Sequence, residues 1–306
     1  MGAQSGRPPA ILIVNPNAGR LAHKVRAEVA TRLARYLELD TRVTTARDSA
    51  IDIARDSVSE GARLVIAFGG DGHVNEVVNG IAGSDAALAV IPGGTMNVFA
   101  RALGLPLDPF DAIEHLAAAL ARPARAVPLG RMDDRYFTFA AGCGFDAEAA
   151  ELVERDIPSK RRFGELFFYW SAARVLATTY RHRNPSMTLR GPFGAVPVAM
   201  AVACNAGPYA YLAGRAVNLA PHVRLDGGLD VFSLKKMRVE ALPMYFWRVA
   251  VSGDLIHHDD AFYASDLQAF EIISEKPFRR HVDGEPLGSA TEARFSVVPA
   301  AVRVQV

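Results

Sequence analysis

Cysteine is scarce. Cys143 and Cys204 are the only two in 306 residues, far apart and without a metal-ligand spacing. That points away from a disulfide-stapled fold and predicts two buried thiols in a reducing compartment. Long apolar runs are missing too: no stretch approaches the roughly 18 residues that a spanning helix needs. Charge of one sign is also missing. Lys and Arg number 34 against 33 Asp and Glu, a net charge of +1, so global electrostatics argues against nucleic acid as a partner while leaving room for a local basic patch. The first ten residues, MGAQSGRPPA, lack the basic-then-apolar pattern of a secretory leader. The expectation is a cytoplasmic chain, peripheral at a membrane if it touches one. No internal repeat or low-complexity tract is visible.

What the chain does have is a full complement of apolar residues, 50%, and enough length for two domains. The most informative stretch is LVIAFGGDGHVNEVVNG, residues 64–80. The apolar run 64–68 reads as a buried parallel strand. Gly69, Gly70, Asp71 and Gly72 follow, and then a helix with Val74, Val77 and Val78 on one face. A strand, a glycine turn and a helix N-terminus present backbone N–H groups and a positive dipole end, which suits a phosphate. Three glycines in four residues remove the Cβ atoms that would hold the phosphate away. Asp71 beside a polyphosphate implies a divalent cation between them, Mg²⁺ being the simplest. The alternative is a tight strand-to-helix connection with a capping Asp.

Upstream, 11–14 is a short strand followed by the polar turn 15–20, and a helix is expected over 21–39. A strand at 42–45 and a helix at 49–57 precede the central turn. Downstream, the apolar strand 87–91 ends in Pro92-Gly93-Gly94-Thr95-Met96-Asn97, a second glycine turn before a helix. Thr95 there serves either a phosphate or a helix N-cap. Strand–helix alternation predicts a parallel sheet with the turns 15–20, 44–47 and 69–72 gathered at one edge. Past Pro123 the pattern becomes alternating, with strands expected at 136–140, 187–190, 196–203, 229–234, 270–274 and 294–298. The predicted organisation is an α/β domain at 9–127 and a mostly antiparallel β-rich domain at 128–306, whose last residues can return to the first.

In order along the chain stand Asn15-Pro16 with Gly19, GGDG with Asn75 and Glu76, Gly-Gly-Thr-Met-Asn, Gly-Phe-Asp at 144–146, Asp226-Gly227, and Asp283-Gly284-Glu285. This series resembles the diacylglycerol kinase catalytic family, which includes sphingosine and ceramide kinases and bacterial soluble lipid kinases. The resemblance runs from about residue 11 to 304. GGDG alone also occurs in NAD kinases; PGGTMN and the late VDGE are the more specific motifs. The resemblance implies a parallel-sheet nucleotide domain of the NAD kinase/diacylglycerol kinase type and a β-rich lipid domain, with the active site in the cleft between them. It implies ATP and Mg²⁺ as cofactors, a lipid hydroxyl as acceptor, a transient membrane surface and, compatibly, a homodimer.

Carried over by motif, Asn15, Pro16, Gly19, Thr44, Gly69, Gly70, Asp71, Gly72, Glu76, Gly94 and Thr95 form the nucleotide side, with Thr45 able to stand in for Thr44. Asp283 and Glu285 are the catalytic carboxylates beside Asp71, with Glu285 the favoured base. Asp226, with main-chain oxygens near Val223 and Gly228, matches a structural metal position. Asp146 matches a lipid head-group contact. Two departures stand out: His73 where the family usually has Thr, and Val98 where it usually has Asp. Read without the upstream motifs, VDGE is simply a hairpin turn. An NAD kinase-like enzyme and a non-catalytic nucleotide or lipid sensor are the competing functions.

The segment 161–180, RRFGELFFYWSAARVLATTY, is dense in aromatics. It reads either as a membrane-docking lip flanked by Lys160, Arg161 and Arg162 or as a helix packed on the β domain. His257 and His258 beside Asp259 and Asp260 read as a solvated loop rather than a metal site.

Overall fold

Leu64–Gly69 is buried at every position, and so is Ala87–Pro92. Strands apolar on both faces must be covered on both faces, which is the signature of a parallel sheet between helices. A computed structural model shows this arrangement. It describes residues 7–16, 23–144, 147, 186–212, 215–237, 239–249 and 253–306. The chain divides into two units, residues 1–128 with 299–306, and residues 129–298.

The first unit runs β1 (Pro9–Val14), α1 (His23–Leu33), β2 (Glu38–Val43), α2 (Ser49–Ser59), β3 (Leu64–Gly69), α3 (Asp71–Ile81), β4 (Ala87–Pro92), α4 (Val98–Ala102) and α5 (Pro109–Ala119). Its strands pair in parallel in the order β2-β1-β3-β4. The chain end returns to this sheet, with Arg303 and Val304 parallel to Ala87 and Leu88. Gln305 donates to the carbonyls of Ala119 and Arg122. Leu12, Val14, Ile66, Phe68, Ala89 and Ile91 form a core with Val29, Leu33, Ile113 and Leu116.

Two boundaries differ from the sequence expectation. The helix after the first turn stops at Leu33, not near 39, and the next strand starts at Glu38, not 42. Glu38 donates to Pro8, and Pro9 pairs with Glu38, so the chain must leave the helix early to lay down β2 against β1. β2 is largely exposed, which hid it from a hydrophobicity reading.

The second unit is antiparallel. It contains the end of β5 (Arg125–Met132), then β6 (Arg135–Phe137), β7 (Ala140–Gly144), β8 (Met187–Gly191), β9 (Gly194–Val198), β10 (Met200–Cys204), β11 (Ala210–Leu212), β12 (Arg215–Val217), β13 (Leu229–Leu234), the short helix α6 (Leu242–Trp247), β14 (Ala261–Leu267), β15 (Ala269–Val282) and most of β16 (Glu285–Val304). The order β14-β13-β10-β7-β15-β16 carries its core, which includes Phe137, Leu189, Val231, Ile272 and Phe295. The expected strand 196–203 is two strands, β9 and β10. The one expected at 136–140 is β6 followed by β7. Both cysteines are free and buried. The aromatic segment 161–180 lies outside the described residues.

Candidate active site

In the first unit β1 lies between β2 and β3, so the chain leaves β1 toward one side of the sheet and later returns on the other. That reversal opens a crevice beyond the carboxyl ends of β1 and β3. Asn15 and Pro16 follow β1, and Gly69 ends β3, with Gly70 leading into Asp71 at the start of α3. Thr44, just past β2, is buried, with its N–H on the Val14 carbonyl at 3.0 Å and its hydroxyl directed to the same oxygen at 3.4 Å. Gly19 lies outside the described residues.

The two glycine turns touch. A Cβ on Gly94 would stand 2.6 Å from the Cα of Gly70. The Gly93 N–H donates to the Gly69 carbonyl at 2.8 Å. Asn97, held at φ 48°, closes the second turn on itself: its Oδ1 accepts from Gly94 N and its Nδ2 donates to Gly94 O, both at 2.9 Å. Thr95 stands exposed at the tip. The first helical bond of α3 is Val74 N–H to Gly70 O, and the N-cap Gly70 supplies no side-chain cap. An uncapped helix start on a glycine turn fits the phosphates of a nucleotide. Asp71 sits in the first turn, where its Oδ1 accepts from Phe99 N at 3.2 Å; this braces α4 and keeps a carboxylate at the start of α3, the donor type a hard divalent cation takes.

Two neighbours of this turn face inward. His73 is buried; its Nε2 lies 3.0 Å from the Ile13 carbonyl, which can only accept, so Nε2 carries the proton. Burial holds this imidazole below its ordinary pKa. Its ring also explains Gly69, where a Cβ would meet the imidazole at 2.7 Å. Glu76 is buried as well, and its two oxygens accept from Asp48 N at 3.0 Å and Ala50 N at 3.1 Å, capping the N-terminus of α2. One turn on, Gly80 lets α2 approach closely, since a Cβ there would stand 2.5 Å from Ala54.

In the second unit VDGE is a hairpin. Val282 pairs with Glu285, and Asp283 and Gly284 both have positive φ, 47° and 81°, the requirement of a two-residue type I′ turn. What a turn reading does not foresee is the fate of the Asp283 carboxylate. It is buried and accepts four hydrogen bonds: Thr138 N and Oγ1 at 2.7 and 2.8 Å, Phe139 N and Ala140 N at 3.0 Å each. Burial pushes this carboxyl up and the four donors pull it back. Asp283 therefore locks the turn to the start of β7. The next residue but one, Glu285, has Arg135 at 3.9 Å, both side chains mostly buried. His281 accepts from Gly284 N at 3.3 Å. Asn205 ties down the same loop through the Thr138 carbonyl. Arg135, His281 and Asn205 carried no motif that sequence reasoning could use.

Val223, Asp226 and Gly228 share one turn. The Arg224 guanidinium straddles the Asp226 carboxylate at 3.2 and 3.3 Å, and Gly228 N donates to Asp266. Asp230 in turn accepts from Asp266 N and from the Tyr263 hydroxyl, which burial and Asp230 push up. Carboxylate and carbonyl oxygens suit a hard cation, but one entering at Asp226 competes with Arg224. Asp146 lies outside the described residues. Of the segment 257–260, His257 and Asp259 are exposed as a solvated loop requires, whereas Asp260 is buried and accepts from the Tyr245 hydroxyl at 2.7 Å. A groove of about 770 Å³ elsewhere in this unit is lined by Arg131, Arg190, Glu271 and Arg294. Phe270 and Phe295 also line it, and it contains none of the expected site residues.

Comparison with known proteins supplies independent findings. The family pattern described as "Diacylglycerol kinase catalytic domain" matches residues 9–151. A Bacillus subtilis (strain 168) protein named "Diacylglycerol kinase" is 32% identical over 286 residues, covering 90% of this chain and 88% of the relative. A Pseudomonas aeruginosa PAO1 protein named "Probable lipid kinase YegS-like" is 30% identical over 290 residues, 92% of this chain and 89% of the relative. Among solved structures, a diacylglycerol kinase from Bacillus anthracis str. Sterne superposes with a TM-score of 0.73 at 23% identity, covering 97% of this chain and 96% of that one. That last likeness establishes the fold.

Proposed function

Because the chain belongs to the diacylglycerol kinase catalytic-domain family of lipid kinases, we propose that it transfers the γ-phosphate of ATP to a hydroxyl of a membrane-derived lipid such as diacylglycerol. The observation that supports this most is the contact of Gly70 with Gly94, which puts two glycine turns and the uncapped start of α3 together. Phosphoryl transfer asks chiefly for positioning and neutralised charge. In this reading the α3 start and the turns at Gly69, Gly70, Gly72, Gly94 and Thr95 bind the phosphates, and Asn15, Pro16, Gly19 and Thr44 flank them. Asp71 would hold Mg²⁺, which would supply neutralising charge to the phosphates. Glu285 receives the proton of the acceptor hydroxyl, Asp283 holds the turn that presents it, and Asp146 meets the lipid head group. Glu76 acts from behind by fixing α2.

The test is transfer of radiolabelled phosphate from ATP to a panel of diacylglycerol, phosphatidylglycerol, a sphingoid base and a polyprenol, with NAD as a control acceptor. A labelled lipid formed with Mg²⁺ and lost in Asp71→Asn is the expected result. Labelled NAD without labelled lipid, or nucleotide binding without transfer to any lipid, would overturn the reading.

A further inference from the structure

The hairpin of β5 and β6 is fastened on both sides of Arg135 to the strands that carry Glu285. At its tip, the Asp133 carboxylate takes the Arg280 guanidinium from β15 and the Arg294 N–H from β16, the latter at 2.9 Å. The Asp133 N–H donates to the Arg294 carbonyl at 2.8 Å. Past β6, the N–H groups of Thr138, Phe139 and Ala140 are held by the Asp283 carboxylate. Arg135 lies between these fastenings, opposite Met132 in the hairpin. A strand tied down so closely on either side has little freedom to drift relative to β15 and β16.

Side chains alternate along a strand, so Arg135 shares a face with Phe137. Phe137 is fully buried, with its ring over Gly130, where any side chain would collide with it. Arg135 is drawn inward on the same face. Its side chain is only 17% exposed, uncommon for arginine, and its guanidinium lies 3.9 Å from the Glu285 carboxylate, itself 22% exposed.

From this we infer that Arg135 is a positioning residue for phosphoryl transfer, holding the Glu285 carboxylate in one orientation; the role rests on the reading of Glu285 as proton acceptor. A mostly buried guanidinium favours the carboxylate turned toward it, because either charge alone would be costly there. At 3.9 Å the pair is an ion pair without a hydrogen bond, so it takes up none of the lone pairs a base needs. In the transfer the acceptor oxygen bonds to the γ-phosphorus, and the bond from that phosphorus to the departing ADP oxygen breaks. The hydroxyl proton passes to Glu285. A carboxylate held in place meets that proton, whereas a rotating one meets it in only a fraction of its orientations. Arg135 acts through Glu285, not on the lipid or the nucleotide.

The test is steady-state transfer of labelled phosphate from ATP, with Mg²⁺, to whichever lipid of the panel above the parent chain labels. Variants are compared as folded protein, which urea midpoints establish. Arg135→Gln should lower kcat about 10- to 100-fold, with the KM for ATP within about two-fold of the parent. Arg135→Lys keeps the charge and should recover part of that loss. In the double variant Arg135→Gln with Glu285→Gln, kcat should fall no further than in Glu285→Gln alone, since a residue acting through Glu285 has nothing left to position. Parental kcat in Arg135→Gln, or losses that multiply in the double variant, would overturn the role of Arg135 and leave the kinase reading standing. Parental kcat in Glu285→Gln would remove the base and this role with it. No labelled lipid from the parent chain would overturn the kinase reading itself, and the role of Arg135 would fall with it.

Discussion

Gly70 and Gly94 approach so closely that a methyl group on Gly94 would stand 2.6 Å from the Gly70 Cα and 2.9 Å from the Asn97 Oδ1. The obstacle is backbone, which cannot swing aside as a side chain would. Gly94→Ala must therefore separate the two turns, at about 1–3 kcal/mol of overpacking strain. Urea denaturation should show that loss, and nucleotide binding should weaken with it, because the same displacement widens the phosphate cradle. Gly83→Ala is the useful comparison: Gly83 also sits in a turn, but no atom lies within 4 Å of the added carbon, and only its φ of 80° resists. It should destabilise without touching nucleotide affinity.

Glu76 falls in a motif that reads as nucleotide-binding, and its oxygens accept from Asp48 N and Ala50 N. Glu76→Gln removes the charge at the α2 N-terminus and one acceptor, which should cost about 1–2 kcal/mol. Melting and urea titration measure that cost. The KM for ATP should move less than two-fold or so, within what a tightened or slackened scaffold produces. A KM rise far larger than the stability loss would instead put Glu76 in contact with the nucleotide.

The parallel half of the fold was legible because its inner strands are apolar throughout and its turns are glycine-rich. The strongest site motifs lie on those same strands. Strand β7 was harder to see, for a reason visible in Ala140-Ala141-Gly142-Cys143-Gly144. It pairs with β10 and β15 and is buried throughout, and at its end Gly144 is required, since a Cβ there would meet the Ala199 carbonyl at 2.7 Å. Such small residues look like a loop to any propensity scale. The roles of Asp283 and Asp71 as braces were illegible for another reason. Their partners, Thr138 to Ala140 and Phe99, are distant in sequence and offer backbone N–H groups, which every residue has.

His73 makes a prediction about pH. In the unfolded chain its imidazole takes up a proton near 6.5, whereas burial resists protonation until lower pH, against the smaller opposing pull of the Ile13 carbonyl. Between those two pH values the unfolded state binds more protons, so stability rises with pH there. On acidification from 7 the loss should begin near 6.5 and reach up to about 1.4 kcal/mol per pH unit. His73→Gln keeps an N–H for Ile13 and removes the titration. Its stability should be flatter between pH 6.5 and 5, as read by urea midpoints across that range.

Arg224 and Asp226 decide whether the 223–228 turn can take a cation. With the guanidinium on both carboxylate oxygens, Asp226 has little to offer a cation until Arg224 leaves. Both side chains are well exposed, so the pair itself adds little stability. Arg224→Gln should melt close to the parent in chelator. Added Mg²⁺ should raise the melting temperature of the variant more than that of the parent. Equal responses would mean that Arg224 does not compete for the site.

The two acids of the 283–285 turn should separate cleanly by experiment. Asp283 is buried and takes four donors. Asp283→Asn turns an amide N–H₂ against two of them and should cost about 2–4 kcal/mol, read as a fall in the urea midpoint. Glu285 is about one-fifth exposed and lies at the head of β16, so Glu285→Gln preserves the shape and, with Arg135 left without its counter-charge, should cost about 1 kcal/mol, less than Asp283→Asn. Its effect belongs in turnover: a lost general base costs on the order of 100- to 10,000-fold in kcat, with the KM for ATP little changed. If Glu285→Gln turned over at the parental rate, the proton would have to go elsewhere. If instead Asp283→Asn were as stable as the parent, the four-donor lock would not be what sets the turn.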